Sequence, residues 1–235
     1  MKLTVLGMNG PYPAAGGATS GYLVEENDTY VLVDCGSGVL SRLLKRLSPV
    51  DLTCVCLSHL HYDHACDMLP MQYYLQGRDL RLPVYLPGED ESPMRRLLEA
   101  PCFDVKPYED TFTVGDFTVT VHVTRHPVPC RALKFTVNGK TLVYTGDAAE
   151  GDSLVEFCRD ADVLLADGAF LDRQWHDKAP HMSARMAAEL AKNAGVKMLI
   201  VTHLPPSNVP SLLLDEARAV FKNTYLAACD ARWEV

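Results

Sequence analysis

The segment Ser58-His59-Leu60-His61-Tyr62-Asp63-His64 places three imidazoles and a carboxylate within six residues. Such groups add nothing to stability there, because each buried polar atom needs a partner. As metal ligands they make sense: neutral imidazole nitrogen and carboxylate oxygen suit zinc and its neighbours. In extended backbone, side chains repeat every two residues, so His59 and His61 point the same way and can grip one ion together. Asp63 and His64 follow where the chain turns and can grip a second. The competing reading is a plain cluster of polar surface residues. Against it stands the apolar run LTCVCLS just before the segment, since the ends of buried strands are where loops carry chemistry.

More candidates lie downstream. His126 in TRHPVPC, Asp147 in VYTGDAA and His203 in LIVTHLPP each follow a strand-like run. Taken singly, they read as a satisfied loop histidine, a turn aspartate and a histidine capping a strand. His181 opens PHMSARMAAELAKNAG, where Ser183 can cap the helix that follows. His181 is thereby held at the mouth of a helix N-terminus. Asp167 closes the strand-like DVLLADG. His122 alternates within VTVHVTR and reads as structural. His176, beside Trp175 in a polar stretch, reads as exposed, with a rim contact as the alternative.

These groups need elements to hold them. KLTVLG reads as a first strand, and SGYLVEENDTYVLVDCG as a hairpin turning at Asn27–Asp28. VLSRLLKRLS has helical spacing, with Val39, Leu43, Leu44 and Leu47 on one face. DMLPMQYYLQG reads as a helix and RLPVYLP as a strand. Ser92-Pro93 is an N-cap and first-turn signature for a further helix. FTVGDFTVTVHVTR and RALKFTVNGKTLVYTGD are strand-rich, and Asn138–Gly139 is a strong hairpin turn. Helix, strand, helix, strand, helix then follow in SLVEFCRD, ADVLLADG, SARMAAELAKNAG (closed by Gly195), VKMLIVTHL and SLLLDEARAVFKN, with TYLAACDA as a last strand. Hairpins early and alternation late predict mixed sheets covered by helices.

The 235 residues suffice for one sizeable core, and nothing in the composition marks a linker, so one domain is expected over 1–235. The start, MKLTVLGMNGPYP, does not resemble a signal peptide. No run approaches the ~20 apolar residues of a membrane span. A cytoplasmic protein without membrane contact is expected, and a homodimer stays open. The eight cysteines lack CxxC pairs, so reduced and mostly buried thiols are expected, with Cys54 and Cys56 on one strand face. The net charge of −8 and the absence of a Lys/Arg run disfavour long nucleic acid.

H-x-H-x-D-H after an apolar strand resembles the signature of the metallo-β-lactamase superfamily, and the later elements come in the family's order. The resemblance runs from about residue 3 to 204. It implies an αββα sandwich, two mixed sheets flanked by helices, with the site along one sheet edge. It implies two divalent ions, zinc first with manganese or iron compatible. His59, His61 and His126 would hold one ion, and Asp63, His64 and His203 the other, with Asp147 bridging. Asp34 in VLVDCGSG resembles an early aspartate that supports the metal loop without binding metal. PHMSA resembles the HxSA-type motif of tRNase Z and related phosphodiesterases, which makes His181 catalytic and not a ligand. Asp63 and Asp167 complete the expected catalytic set. Relatives of this branch carry glutamate where Asp167 stands, which puts its pairing with His181 in question.

The tRNA-processing members carry a long basic arm between the third and fourth motifs. Here only HPVPCRALKFTVNGKTLVYTGD joins His126 to Asp147. The leading expectation is therefore a phosphodiesterase acting on a small anionic substrate, a phosphodiester or cyclic nucleotide-like compound, through a hydroxide shared by the two metals. A carboxyl-ester, lactone or thioester hydrolase is the alternative. A tRNA 3′-processing endonuclease and a non-catalytic binding module rank below. Backbone N–H groups of Gly16-Gly17-Ala18-Thr19-Ser20 are further candidates for facing substrate oxygens.

Overall fold

The apolar alternation of the N-terminal third folds as hairpins, and the continuous apolar runs fold as parallel strands. The computed structural model describes residues 1–149 and 151–235. Among them, the strands are β1 (Lys2–Gly7), β2 (Gly21–Glu26), β3 (Thr29–Val33), β4 (Cys54–Cys56), β5 (Leu82–Leu86), β6 (Phe103–Pro107), β7 (Thr111–Val114), β8 (Phe117–Val123), β9 (Arg131–Val137), β10 (Lys140–Tyr144), β11 (Val163–Asp167), β12 (Met198–Thr202), β13 (Thr224–Leu226) and β14 (Arg232–Glu234). The helices are α1 (Val39–Leu43), α2 (Tyr62–Ala65), α3 (Met68–Leu75), α4 (Pro93–Leu97), α5 (Asp152–Cys158), α6 (Ala184–Ala194) and α7 (Pro210–Val220).

The strands form two seven-stranded sheets, ordered β14-β1-β2-β3-β4-β5-β6 and β13-β12-β11-β10-β9-β8-β7. Each is mixed. In the first, β1, β2 and β3 pair antiparallel and β3 to β6 parallel. In the second, β7 to β10 pair antiparallel and β10 to β13 parallel. Leu3, Tyr22, Val31 and Cys54 of one sheet share a core with Phe117, Phe135, Leu142 and Ile200 of the other. The outer face of the first sheet packs on Leu43, Met68, Met71 and Met94 of its helices. The second sheet packs on Leu154, Met186, Leu190 and Leu213. This is the αββα sandwich expected from the sequence.

Local signals behave as their chemistry dictates. Asn138 and Gly139 adopt φ of 51° and 73°, the left-handed pair that a two-residue hairpin requires. The Ser183 side chain accepts the Met186 N–H, and Gly195 ends α6 at φ 69°. Cys54 and Cys56 lie buried on one face with their sulfurs 3.8 Å apart. All eight thiols are free. No helix among the described residues is long and apolar enough to cross a membrane.

Three expectations need correction. α1 stops at Leu43, and Leu44 is exposed. Tight bonds from Lys45 N–H to Arg42 and from Arg46 N–H to Leu43 wind the chain out of the helix ahead of Pro49. The last strand of TYLAACDA is only Thr224–Leu226, and the unforeseen β14 pairs antiparallel with β1. In the loop 16–20, the N–H groups of Gly17 and Thr19 are spent on the carbonyls of Ala14 and Ser37, so they do not face substrate.

Candidate metal centre

The strand order brings the carboxyl ends of β3, β4, β10, β11 and β12 to one edge of the sandwich. The residue after each of the first three, or a near neighbour, carries chemistry: Asp34, His59 and Asp147. Asp167 ends β11, and His203 follows β12. Asp34 and His203 both sit at φ 57°, a left-handed conformation that non-glycine residues hold only where their surroundings impose it.

His59 Nε2 and His61 Nδ1 lie 3.0 Å apart, and His126 Nε2 is 3.3 Å from His61 Nδ1. Ligands on one tetrahedral ion with bonds near 2.1 Å stand about 3.4 Å apart. His59, His61, His126 and Asp147 converge as one group able to hold an ion, and Asp63, His64 and His203 as a second. Asp147 lies between them: Oδ2 is 3.5 Å from the Nε2 of both His59 and His203, and Oδ1 is 3.3 Å from His64 Nε2. Asp63 Oδ2 meets His203 Nε2 at 3.2 Å.

The donor set passes a direct test of fit. His64 Nε2 and Asp147 Oδ1 are buried and lack a partner in hydrogen-bonding geometry, although they face each other. Such orphaned atoms are costly in a folded core, and a shared cation satisfies both. Burial holds His59 well below its ordinary pKa and also lowers His61 and His126, which keeps their lone pairs free. Burial alone would raise the two aspartates. The histidines override it, holding Asp147 well below and Asp63 below the usual carboxylate value.

Three of the other ring nitrogens have partners, while His203 Nδ1 is buried without one. His64 Nδ1 donates to Asp34 Oδ2 at 2.8 Å, and His126 Nδ1 to the Pro180 carbonyl at 3.2 Å. His59 Nδ1 meets Ser58 Oγ at 3.1 Å. Asp34 belongs to neither ion-holding group. Its carboxylate accepts the Ser58 N–H (2.7 Å), the Ser58 hydroxyl (2.8 Å) and the Tyr144 hydroxyl (2.7 Å). Carboxylate and carbonyl partners of this kind fix ring orientation at metal sites. Thr124 Oγ1 and Cys130 Sγ both donate to the Asp147 carbonyl.

His181 stands beside both groups. Its Nδ1 donates to Asp167 Oδ2 at 2.8 Å, so the shorter aspartate makes the pairing. Burial alone would lower its pKa; Asp167, by charge and hydrogen bond, and then Asp147 raise it to about 9. His181 also groups with Asp147 and His203 as a third set able to hold an ion. Its Nδ1 is already engaged by Asp167, and Nε2 has no partner among the described residues. His122 lies elsewhere, bonding Ser153 and stacking on Phe157, and His176 is exposed.

The predicted ligand and catalytic residues His59, His61, Asp63, His64, His126, Asp147, Asp167, His181 and His203 thus lie together at the one edge, whereas loop 16–20 does not join them. Sequence reasoning missed Tyr144, Thr124 and Cys130, whose roles arise from contacts across strands and carry no local pattern. It also missed Gly10, on which the ring of His203 rests: a Cβ there would lie 2.1 Å from the ring atoms Cε1 and Nε2.

The chain belongs to the β-lactamase superfamily domain family, which matches residues 29–204. It is 39% identical over 229 residues to the probable metallo-hydrolase YhfI of Bacillus subtilis strain 168, covering 94% of each protein. The crystal structure of the metallo-β-lactamase fold protein YhfI matches at a TM-score of 0.94 and 38% identity, over 99% of each chain. Ribonuclease Z of Methanopyrus kandleri is 28% identical over 263 residues, covering 94% of this chain and 93% of that one. These likenesses place the chain in a metallo-hydrolase family of the metallo-β-lactamase fold, with His/Asp clusters suited to holding metal ions.

Proposed function

We propose that the protein is a phosphodiesterase with two divalent metal ions, acting on a small phosphodiester or cyclic nucleotide-like anion. His59, His61 and His126 would hold one ion and Asp63, His64 and His203 the other, with Asp147 within reach of both. When bound, the ions would supply Lewis acidity toward a phosphoryl oxygen and a water-derived nucleophile at neutral pH. His181 delivers a proton from Nε2 to the leaving oxygen while Asp167 holds Nδ1 and keeps the ring aimed. Asp34, locked by Ser58 and Tyr144, keeps His64 in register. With both ions bound the site would be electropositive inside a chain of net charge −8, which favours an anionic substrate at this edge.

The observation that carries this reading is the Asp167–His181 pair at 2.8 Å, set 3.8 Å from Asp147 with Nε2 unengaged. A pure ligand role would not need a carboxylate on the nitrogen nearest the centre. The ribonuclease Z likeness supports phosphodiester chemistry. The short connection from His126 to Asp147, filled by β9 and β10, supports a small substrate over tRNA.

The test is turnover of bis(p-nitrophenyl) phosphate beside p-nitrophenyl acetate and a lactone, with metal-stripped protein as control. Metal-dependent cleavage of the phosphodiester supports the proposal. Cleavage of the carboxyl ester or lactone alone replaces it with the ester-hydrolase reading, and turnover of none makes the protein a binding module.

A further inference from the structure

A cavity borders the candidate metal centre at His126. It has a volume of about 280 Å³ and is lined by Arg125, His126, Ala149, Asp177, Lys178 and Pro180, among others. Its walls are tied to the centre. Arg125 precedes His126 in the chain, and its carbonyl accepts the Ala149 N–H at 2.9 Å, two residues beyond Asp147. Opposite, the Pro180 carbonyl, next to His181, accepts from His126 Nδ1 at 3.2 Å. The Ala179 N–H bonds the His176 carbonyl at 2.8 Å and turns Asp177 and Lys178 into the wall. A group in this cavity touches the His126 side of the centre while the reacting group lies on the ions.

Arg125 and Lys178 are exposed and make no ion pair or side-chain hydrogen bond among the described residues. Among the described residues that line the cavity, two cations, Arg125 and Lys178, face one carboxylate, Asp177. A guanidinium offers a planar fork that matches phosphate oxygens, and a lysine adds a point charge. The volume falls below the ~300–1,000 Å³ that encloses a whole drug-sized molecule. It suits one group of a substrate whose remainder sits at the metals.

We infer that Arg125 and Lys178 form an anion subsite for a second phosphoryl group of the substrate. The inference rests on the phosphodiesterase reading above and narrows it. The preferred substrate carries a scissile diester and a terminal phosphate, as in a short nucleotide ending in phosphate. A cyclic mononucleotide, with its single phosphate, leaves the subsite unused.

The test uses the metal-loaded protein and two chromogenic diesters, thymidine 5′-(p-nitrophenyl phosphate) and the same compound with a 3′-phosphate. Both release p-nitrophenolate, so the chemical step is matched. The 3′-phosphorylated diester is favoured in kcat/KM by about tenfold or more, mainly through KM, because charged hydrogen bonds of this kind are bound equally in ground and transition states. Arg125→Gln and Lys178→Gln each bring the ratio toward one, and Asp177→Asn raises it. Lys192→Gln removes the same charge from an exposed position on α6 and leaves the ratio alone. Calorimetric titration with thymidine 3′,5′-bisphosphate against thymidine 5′-phosphate reads the same preference without turnover. A wild-type ratio near one, a ratio that Arg125→Gln does not move, or an equal effect from Lys192→Gln overturns the subsite and leaves the phosphodiesterase reading standing. Turnover of neither diester with metals bound overturns the phosphodiesterase reading, and the subsite falls with it.

Discussion

Asp167 Oδ2 accepts the Nδ1–H of His181 at 2.8 Å and the backbone N–H of Ala148 at 3.1 Å on the same atom. The other oxygen accepts from Ala169 N–H at 3.2 Å, and the Asp167 N–H donates to Thr145 Oγ1 at 3.0 Å. The carboxylate therefore has one orientation. It reaches His181 despite its short side chain because backbone bonds draw the two segments together: Ala184 N–H to the Phe170 carbonyl at 2.8 Å, and Phe170 N–H to the Met182 carbonyl at 3.3 Å.

This pair sets the first expected outcome. His181→Ala lowers kcat by about 10²–10⁴ on diesters with alkoxide leaving groups, the usual cost of losing a general acid. The loss shrinks with p-nitrophenolate, which departs unprotonated. Both variants keep their metals, and Asp167→Asn loses less rate than His181→Ala. The check is a comparison of the two leaving groups on wild type and variants, with metal content measured alongside. Equal losses on both remove the acid role; loss of a metal makes His181 a ligand.

Tyr144 donates to Asp34 Oδ2 at 2.7 Å, on the same oxygen that receives His64. Tyr144→Phe removes one of the bonds that fix Asp34 and keeps the ring packed against Tyr22, at 5.0 Å between centroids. Asp34 is the partner of His64, and loosening it lowers metal affinity by at most the about 10–100-fold that outright loss of such a partner costs. Competition against a calibrated chelator measures it, with the melting transition as a check on the fold. Unchanged affinity would show that the bonds from Ser58 and His64 suffice to hold Asp34.

Gly10 bears on the second cluster. An added Cβ would stand 2.1 Å from Cε1 and Nε2 of His203, and that ring is buried between the Asp63 and His181 sides of the site. Gly10→Ala must displace the ring, so it retains metal at the His59–His61–His126 cluster and loses it at the other. Metal analysis per chain reads this directly. A variant that binds metal as wild type and turns over normally contradicts the assignment of His203.

The candidate ligands were legible because they cluster in sequence or end apolar runs in a fixed order. His59, His61, Asp63 and His64 announce themselves by spacing, and the ordered set lifts His126, Asp147 and His203 above their ordinary readings. Ser183 gave away the start of α6 through its capping chemistry, and with it the placement of His181. Tyr144, Thr124, Cys130 and Gly10 were not legible, because each acts on a residue brought near only by sheet pairing or by the close approach of two loops. The pairing of Asp167 was uncertain from side-chain length and was decided by the backbone bonds around Phe170. β14 escaped notice because three residues carry no periodicity and their partner, β1, lies at the opposite end of the chain.

Two divalent ions, shared by seven side chains, are proposed to make this protein a hydrolase. The most direct measurement is a metal titration of chelator-stripped protein, following phosphodiester turnover and bound metal together. The stripped protein should be inactive, and activity should recover and saturate at about two equivalents of zinc, manganese or iron per chain. Full turnover by the stripped protein would contradict the two-ion proposal, as would saturation with no metal bound at Asp147 and the histidines around it.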